Sequence, residues 1–339
     1  MKAAVQAFVG LALAALLLYW VFRDKDPRLL RAAIARASVS GLLLGTLLNF
    51  GHNHLRVLRW RLLLSPVRER VPYRPMFAAV ILGYLTTWLV PGRIGELVRP
   101  ALLSAKEGIP LGPSLGSVVA DRFLDGIAIV LLFLVGSLTA TFAAGSAAVA
   151  SQIRWVSVAL ALVMAIGLVV LVVAARHASS LDARLARAWG PVRWTGRAAL
   201  SLTRGAGALG APRLWLPILG LSLGAWLMIA AGTWIGIRAS GVPIEFSAAL
   251  TLLPLLAIGV ALPTPAGAGG YHAAMQFGLT QLFGVDGTAA AGAGLLMHLA
   301  VMLPVLVVGP VLLYLEHLSL GDLVRAARQI QGLGDKAAS

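Results

Sequence analysis

Apolar runs of membrane-spanning length recur along the whole chain, at 3–22, 33–52, 114–143, 152–174, 214–238 and 288–315. A helix of ~20 residues crosses the hydrocarbon core of a bilayer, and a helix satisfies its own backbone polar groups where no water is present to do so. The pattern predicts an all-α, polytopic membrane protein: one transmembrane domain over 1–339, with length for roughly six to eight spans. With 59% hydrophobic and 12% charged residues, little is left for a soluble domain. The first run is followed by the bulky, then charged, LLLYWVFRDKD, which reads as an uncleaved anchor.

Lysine and arginine number 28 against 13 acidic residues, a net charge of +15. Because the basic residues cluster between apolar runs, anionic lipid headgroups are the expected partner rather than a nucleic acid. Cysteine is absent, which excludes disulfides, thiol nucleophiles and thiolate metal sites.

Two apolar stretches are interrupted. Met76–Val90 ends in PGRIGE, and Phe246–Leu262 ends in PTPAGAGG before a moderately apolar 271–283. Each break frees backbone groups that hydrocarbon cannot satisfy, so each must be enclosed by protein or line a polar cavity. The spacing P-x-x-x-G occurs in both, at Pro91/Gly95 and Pro265/Gly269, with Pro263 and Gly267 beside the second pair. Paired breaks in two halves of a chain point to an inverted repeat with its site at the midplane. The expected architecture is six spanning helices plus two re-entrant segments, with repeat units 33–143 and 214–315 joined by a basic connector, 176–213.

Charge orients the spans. Loop 53–75 carries six arginines and one glutamate, 176–213 seven arginines and one aspartate, and the tail adds Arg325, Arg328 and Lys336. These are expected in the cytoplasm with both termini, in a cell inner membrane. One loop dissents: 23–36 carries five basic and two acidic residues yet falls outside.

Four constellations carry possible chemistry. Asn49, His52, Arg56 and Arg59 share one face of a helix. For Arg56 and Arg59 a headgroup path and a role as cytoplasmic anchors, with Trp60 at the interface, both stand; Arg61 reads as an anchor. Arg93, Glu96 and Arg99 recur every three residues, on a helix expected to begin after Pro91. A helix start at membrane depth offers free N–H groups to an anion, with Arg93 adding its charge and Glu96 balancing Arg93 when the site is empty. Asp121 and Asp125 lie one turn apart, next to Arg122, and are expected to pair with Arg93, Arg99 or Arg122. In the second broken segment His272 and Gln276 share a face; the ordinary reading of such a histidine is a buried, hydrogen-bonded one.

Catalytic and metal readings fail on context. GPSLG at 112–116 fits G-x-S-x-G but begins a transmembrane helix, GLGD at 332–335 lies in the polar tail, and His52 and His54 fall on different faces. No enzyme activity, cofactor or metal is expected.

Taken in order, LRVLRWRLLL, PGRIGE, DRFLDG and PTPAGAGG resemble the motifs of the lysylphosphatidylglycerol synthase transmembrane region, the flippase-like domain family, over nearly the whole chain. The resemblance implies a protein that moves lipids or lipid-like carriers between leaflets. In some members this region is fused to a cytosolic aminoacyl-lipid synthase, so a lipid-modifying enzyme is a candidate partner. Its motifs map to Arg56 and Arg59, to Pro91, Arg93, Gly95 and Glu96, and to Asp121, Arg122 and Asp125; with Arg99 and His272 the charged residues among them are the candidate substrate contacts, and the family usually carries a glutamate where this chain has His272. The expectation is a translocase for an anionic or aminoacylated phospholipid or a polyprenyl phosphate. The alternatives are a secondary transporter of a small soluble anion and a non-transporting scaffold for a lipid-modifying enzyme.

Overall fold

The computed structural model describes residues 2–90, 94–145, 147–177 and 207–338, and between the last two only 180, 182–184, 190, 196 and 200. Most of the basic connector, and Pro91, Gly92 and Arg93, lie outside the described residues. Among those described, the chain is helical without strands. The helices are α1 (Lys2–Phe22), α2 (Pro27–Ala35), α3 (Val39–Leu64), α4 (Tyr73–Leu89), α5 (Gly95–Glu107), α6 (Leu111–Thr139), α7 (Ala147–Arg176), α8 (Trp215–Ala239), α9 (Phe246–Ala261), α10 (Gly270–Phe277), α11 (Gly287–Leu315) and α12 (Leu320–Ala338).

Capping chemistry sets several boundaries. Asp26 accepts from the Arg28 N–H with Pro27 at the first helical position of α2. Ser38 accepts from Gly41 at the start of α3, and Asp286 accepts from Thr288 and Ala289 at the start of α11. These caps correct the expected second span: the run begun at 33 breaks after Ala35, bends by 81° and restarts at Val39. By length and apolar composition three described helices qualify as spans, Ser151–Ala174, Pro212–Ala239 and Gly287–Leu315, or four if the bent pair α2–α3 counts as one.

The bundle has two ends. At the first, Arg68 pairs with Glu107 at 3.3 Å, and Lys106 and Arg74 both meet Glu316. At the second, Ser38 N–H donates to Ala239 at 2.7 Å, Ala143 N–H donates to Leu282 at 2.9 Å, and Phe142 stacks on Phe283. α3, α6, α8 and α11 run from one end to the other. The α4–α5 pair leaves and returns to the first end; α9–α10 leaves and returns to the second.

Both hairpins close on paired glycines. Gly95 packs against the Gly83 carbonyl and Thr87, and Gly270 against the Gly259 carbonyl, where a Cβ would overlap backbone oxygen. Gly95→Ala and Gly270→Ala are therefore expected to destabilise the fold by about 1–3 kcal/mol each through overpacking. Thermal melting in detergent checks this, and unaltered midpoints would show that the hairpins yield freely.

Packing between the halves is reciprocal. α3 and α8 cross at the centre, where Gly45 meets the backbone of Gly232 and Gly236. α4 packs on α11 as α9 packs on α6, and α3 touches α11 as α8 touches α6. Exchanging α3–α6 for α8–α11 reproduces this contact pattern.

Candidate functional site: a buried arginine and aspartate cluster

In α3 the inward stripe is Asn49, Asn53, Arg56 and Trp60, with Arg59 beside it. The structure places Arg56 at 3% and Arg59 at 0% exposure. This corrects the expected loop 53–75: its first two arginines are neither loop residues nor interfacial anchors, and Trp60 is buried with them.

Asp121 and Asp125, one turn apart on α6, meet these arginines from the facing helix. Arg59 grips Asp121 Oδ1 through Nε at 2.9 Å and Nη2 at 2.5 Å, and reaches Asp125 Oδ1 at 2.7 Å. Arg56 Nη1 donates to Asp125 Oδ2 at 2.8 Å and Asp121 Oδ2 at 3.2 Å. From α8, Ser222 Oγ accepts from Arg59 Nη1 at 3.0 Å and Trp226 Nε1–H donates to Asp125 at 3.0 Å. Three helices from both halves are thus tied at one buried point. The expected partners of the aspartates were the arginines at 93, 99 and 122; the shortest contacts go to Arg56 and Arg59 instead.

The helix carrying Glu96 and Arg99 begins at Gly95, later than expected, and Arg93 lies outside the described residues. Glu96 faces Arg122 Nε at 3.5 Å, and Arg122 also reaches Asp125 at 3.4 Å. Arg99 is 2% exposed. Its stem lies on Gly83, its guanidinium sits 4.9 Å over the Trp60 ring, and Trp60 is held in turn by Ser117 at 2.8 Å. Arg99 Nη1 approaches Asp121 to 3.5 Å, yet none of its three nitrogens makes a hydrogen bond among the described residues. Arg56 Nε and two nitrogens of Arg122 are likewise without one.

Among the described residues four guanidinium groups thus surround three carboxylates, leaving a net positive charge and donors without hydrogen bonds. Burying ions costs several kcal/mol each unless paired and hydrogen-bonded, so the stability of the fold does not account for an excess buried cation whose N–H groups make no hydrogen bond among the described residues.

The second hairpin carries no such cluster. Its break places Ala266 at φ 55 and Gly267 and Gly269 at φ 71 and 79, and Pro263 presents its carbonyl to Gly10 of α1. His272 accepts from the Gly269 N–H at 3.3 Å. His298, which the sequence reading passed over, bonds the Ala266 carbonyl at 3.0 Å, and the two rings meet edge to face at 4.7 Å. Among the described residues neither histidine bonds to the arginine cluster. Ser222 and Trp226 were also missed: polar or aromatic positions within an apolar run have no partner visible in sequence.

Fold and site define a multi-pass, all-helical membrane protein. Residues 7–309 match the family model described as lysylphosphatidylglycerol synthase TM region, and the chain belongs to that family, which connects it with lipid handling. A comparison with curated proteins finds no match.

Proposed function

We propose that the protein is a non-enzymatic lipid translocase, which passes the phosphate-bearing headgroup of an anionic lipid through the polar interior while the acyl chains stay in the bilayer. The observation that carries this is Arg99: a buried guanidinium, oriented by Trp60, that is the charge in excess of the three carboxylates and makes no hydrogen bond among the described residues. A phosphate diester offers the planar fork two oxygens at once. Arg56 and Arg59, neutralised and locked by Asp121 and Asp125, form the rigid wall against which Arg99 is held, and the half-exposed Glu96–Arg122 pair opens or closes access to it.

The fold supports the same reading. In this topology α1, α3, α6, α7, α8 and α11 cross the inner membrane, the hairpins α4–α5 and α9–α10 are re-entrant from opposite faces, and the units 33–143 and 214–315 form an inverted repeat. The first end of the bundle, with Arg68, Arg74 and Lys106, is cytoplasmic, and so are both termini. A lipid-modifying enzyme that supplies or consumes the lipid is the natural partner.

Purified protein in proteoliposomes containing headgroup-labelled lipid is the test. Exchange between leaflets is expected for an anionic phospholipid, an aminoacyl lipid or a polyprenyl phosphate. No exchange of any of the three overturns the reading.

A further inference from the structure

The segment 23–36 opposes the charge rule: it is basic, yet it lies at the second end of the bundle, away from Arg68 and Lys106. The acidic residues nearest to it are already engaged. Asp24 pairs with Arg23 at 3.1 Å, Asp26 caps α2 and Asp286 caps α11. Lys25 makes no ion pair among the described residues, and its ammonium stands over the bare backbone of Gly287.

Arg23, Asp24 and Lys25 border a cavity of about 340 Å³, lined with them by Trp20 of α1 and by Gln276, Thr280 and Gln281 from the second hairpin. The hairpin is widened there by a π-helical turn, Gly278–Leu282, a distortion frequent at functional sites. Gln276 is 7% exposed, and its Oε1 has no hydrogen-bond partner among the described residues. A buried amide oxygen without a donor is destabilising, so its retention at the wall of a cavity bordered by Arg23 and Lys25 calls for a ligand that supplies one. Trp20 and Tyr19, both largely exposed, are placed as interfacial aromatics are, beside lipid rather than bulk water.

We propose that this cavity is a second headgroup site, in the leaflet opposite the one served by the cytoplasmic end. Arg23 and Lys25 hold the phosphodiester of an anionic phospholipid, and the amides of Gln276 and Gln281 with the Thr280 hydroxyl hold an uncharged, hydroxyl-bearing headgroup. A zwitterionic headgroup that carries its ammonium next to the phosphate, as phosphatidylethanolamine does, would set that charge beside Lys25 and is held more weakly. The site rests on the translocase reading only for its role, as the place where a lipid is released or collected; binding there stands independently. It also accounts for basic residues kept on the face where the charge rule disfavours them.

The test is photo-crosslinking in nanodiscs, using a phosphatidylglycerol probe with a diazirine near the headgroup and peptide mapping of the adducts. Adducts are expected on Trp20 or Phe277, and weaker ones from matched phosphatidylethanolamine and phosphatidylcholine probes. The double variant Arg23→Gln, Lys25→Gln is expected to lose these adducts roughly 30-fold, as befits two basic residues near a lipid phosphate, while adducts near Arg99 persist. Gln276→Leu is expected to erase the preference for phosphatidylglycerol over phosphatidylethanolamine without abolishing labelling. Melting curves identify any variant that fails to fold, and for such a variant displacement of the wild-type adducts by unlabelled phosphatidylglycerol gives the same answer. Equal labelling by the phosphatidylcholine probe, labelling unchanged in a folded double variant, or displacement by inorganic phosphate each overturns the proposal. Charge-dependent adducts in a protein that moves no lipid would reject translocation and leave the site standing; translocation without them would do the reverse.

Discussion

Asp121→Ala is expected to cost the fold about 3–5 kcal/mol, the range for removing one partner of a buried ion pair. Asp121 is fully buried, accepts two hydrogen bonds from Arg59 and one from Arg56, and lies 3.5 Å from Arg99. Its loss strands these cations in a low-dielectric interior. A large fall in the thermal midpoint in detergent is the result to look for. Adding Arg59→Leu to Asp121→Leu removes opposite charges together, and much of the stability should return, because well-packed apolar groups replace a buried pair at little cost. A midpoint unmoved by Asp121→Ala would show that the cluster is solvated and does not hold α3, α6 and α8 together.

Arg99→Met is expected to behave in the opposite way. Methionine keeps an apolar stem over Gly83 and Trp60 while removing a buried cation that makes no hydrogen bond among the described residues, so stability should stay level or rise. Affinity for an anionic headgroup should fall roughly 10–100-fold, the equivalent of losing charge-assisted hydrogen bonds of ~1.5–3 kcal/mol. Lipid titration followed by native mass spectrometry, beside the liposome assay, separates the two effects. Should Arg99→Met melt far below the wild type with lipid binding intact, Arg99 would be structural, and the role of headgroup receptor would pass to another arginine.

The contrast between these arginines was only half legible in sequence. Arg56 and Arg59 read equally as anchors or as site residues, because an arginine at a helix end is spelled the same way whether the helix stops there or continues. The chain continues to Leu64, and that extension draws both side chains inside. Asp121 and Asp125 were recognised as a pair on one face from their spacing alone. Their expected partners Arg99 and Arg122 do approach them, at 3.4–3.6 Å, whereas the hydrogen bonds from Arg59 and Arg56, 62 and 69 positions away, were not foreseen. His272 was read as solitary, since nothing in the sequence sets position 298 against it.

By itself the sequence determined that the chain is helical and belongs in a membrane, that two apolar segments are broken, and which residue types cluster at the first break. Those properties follow from local composition and spacing: hydrocarbon admits only backbone that bonds to itself, and proline and glycine mark where it stops doing so. The tertiary structure alone decided which charges neutralise one another and which are left over. Arg59 and Arg99 have the same side chain and both are buried, yet one is held by two aspartates and a serine while the other makes no hydrogen bond among the described residues. Pairing depends on which helix faces are brought within about 3 Å, and that is set by the packing of paired glycines across both halves of the bundle, a long-range property that no short stretch of sequence contains.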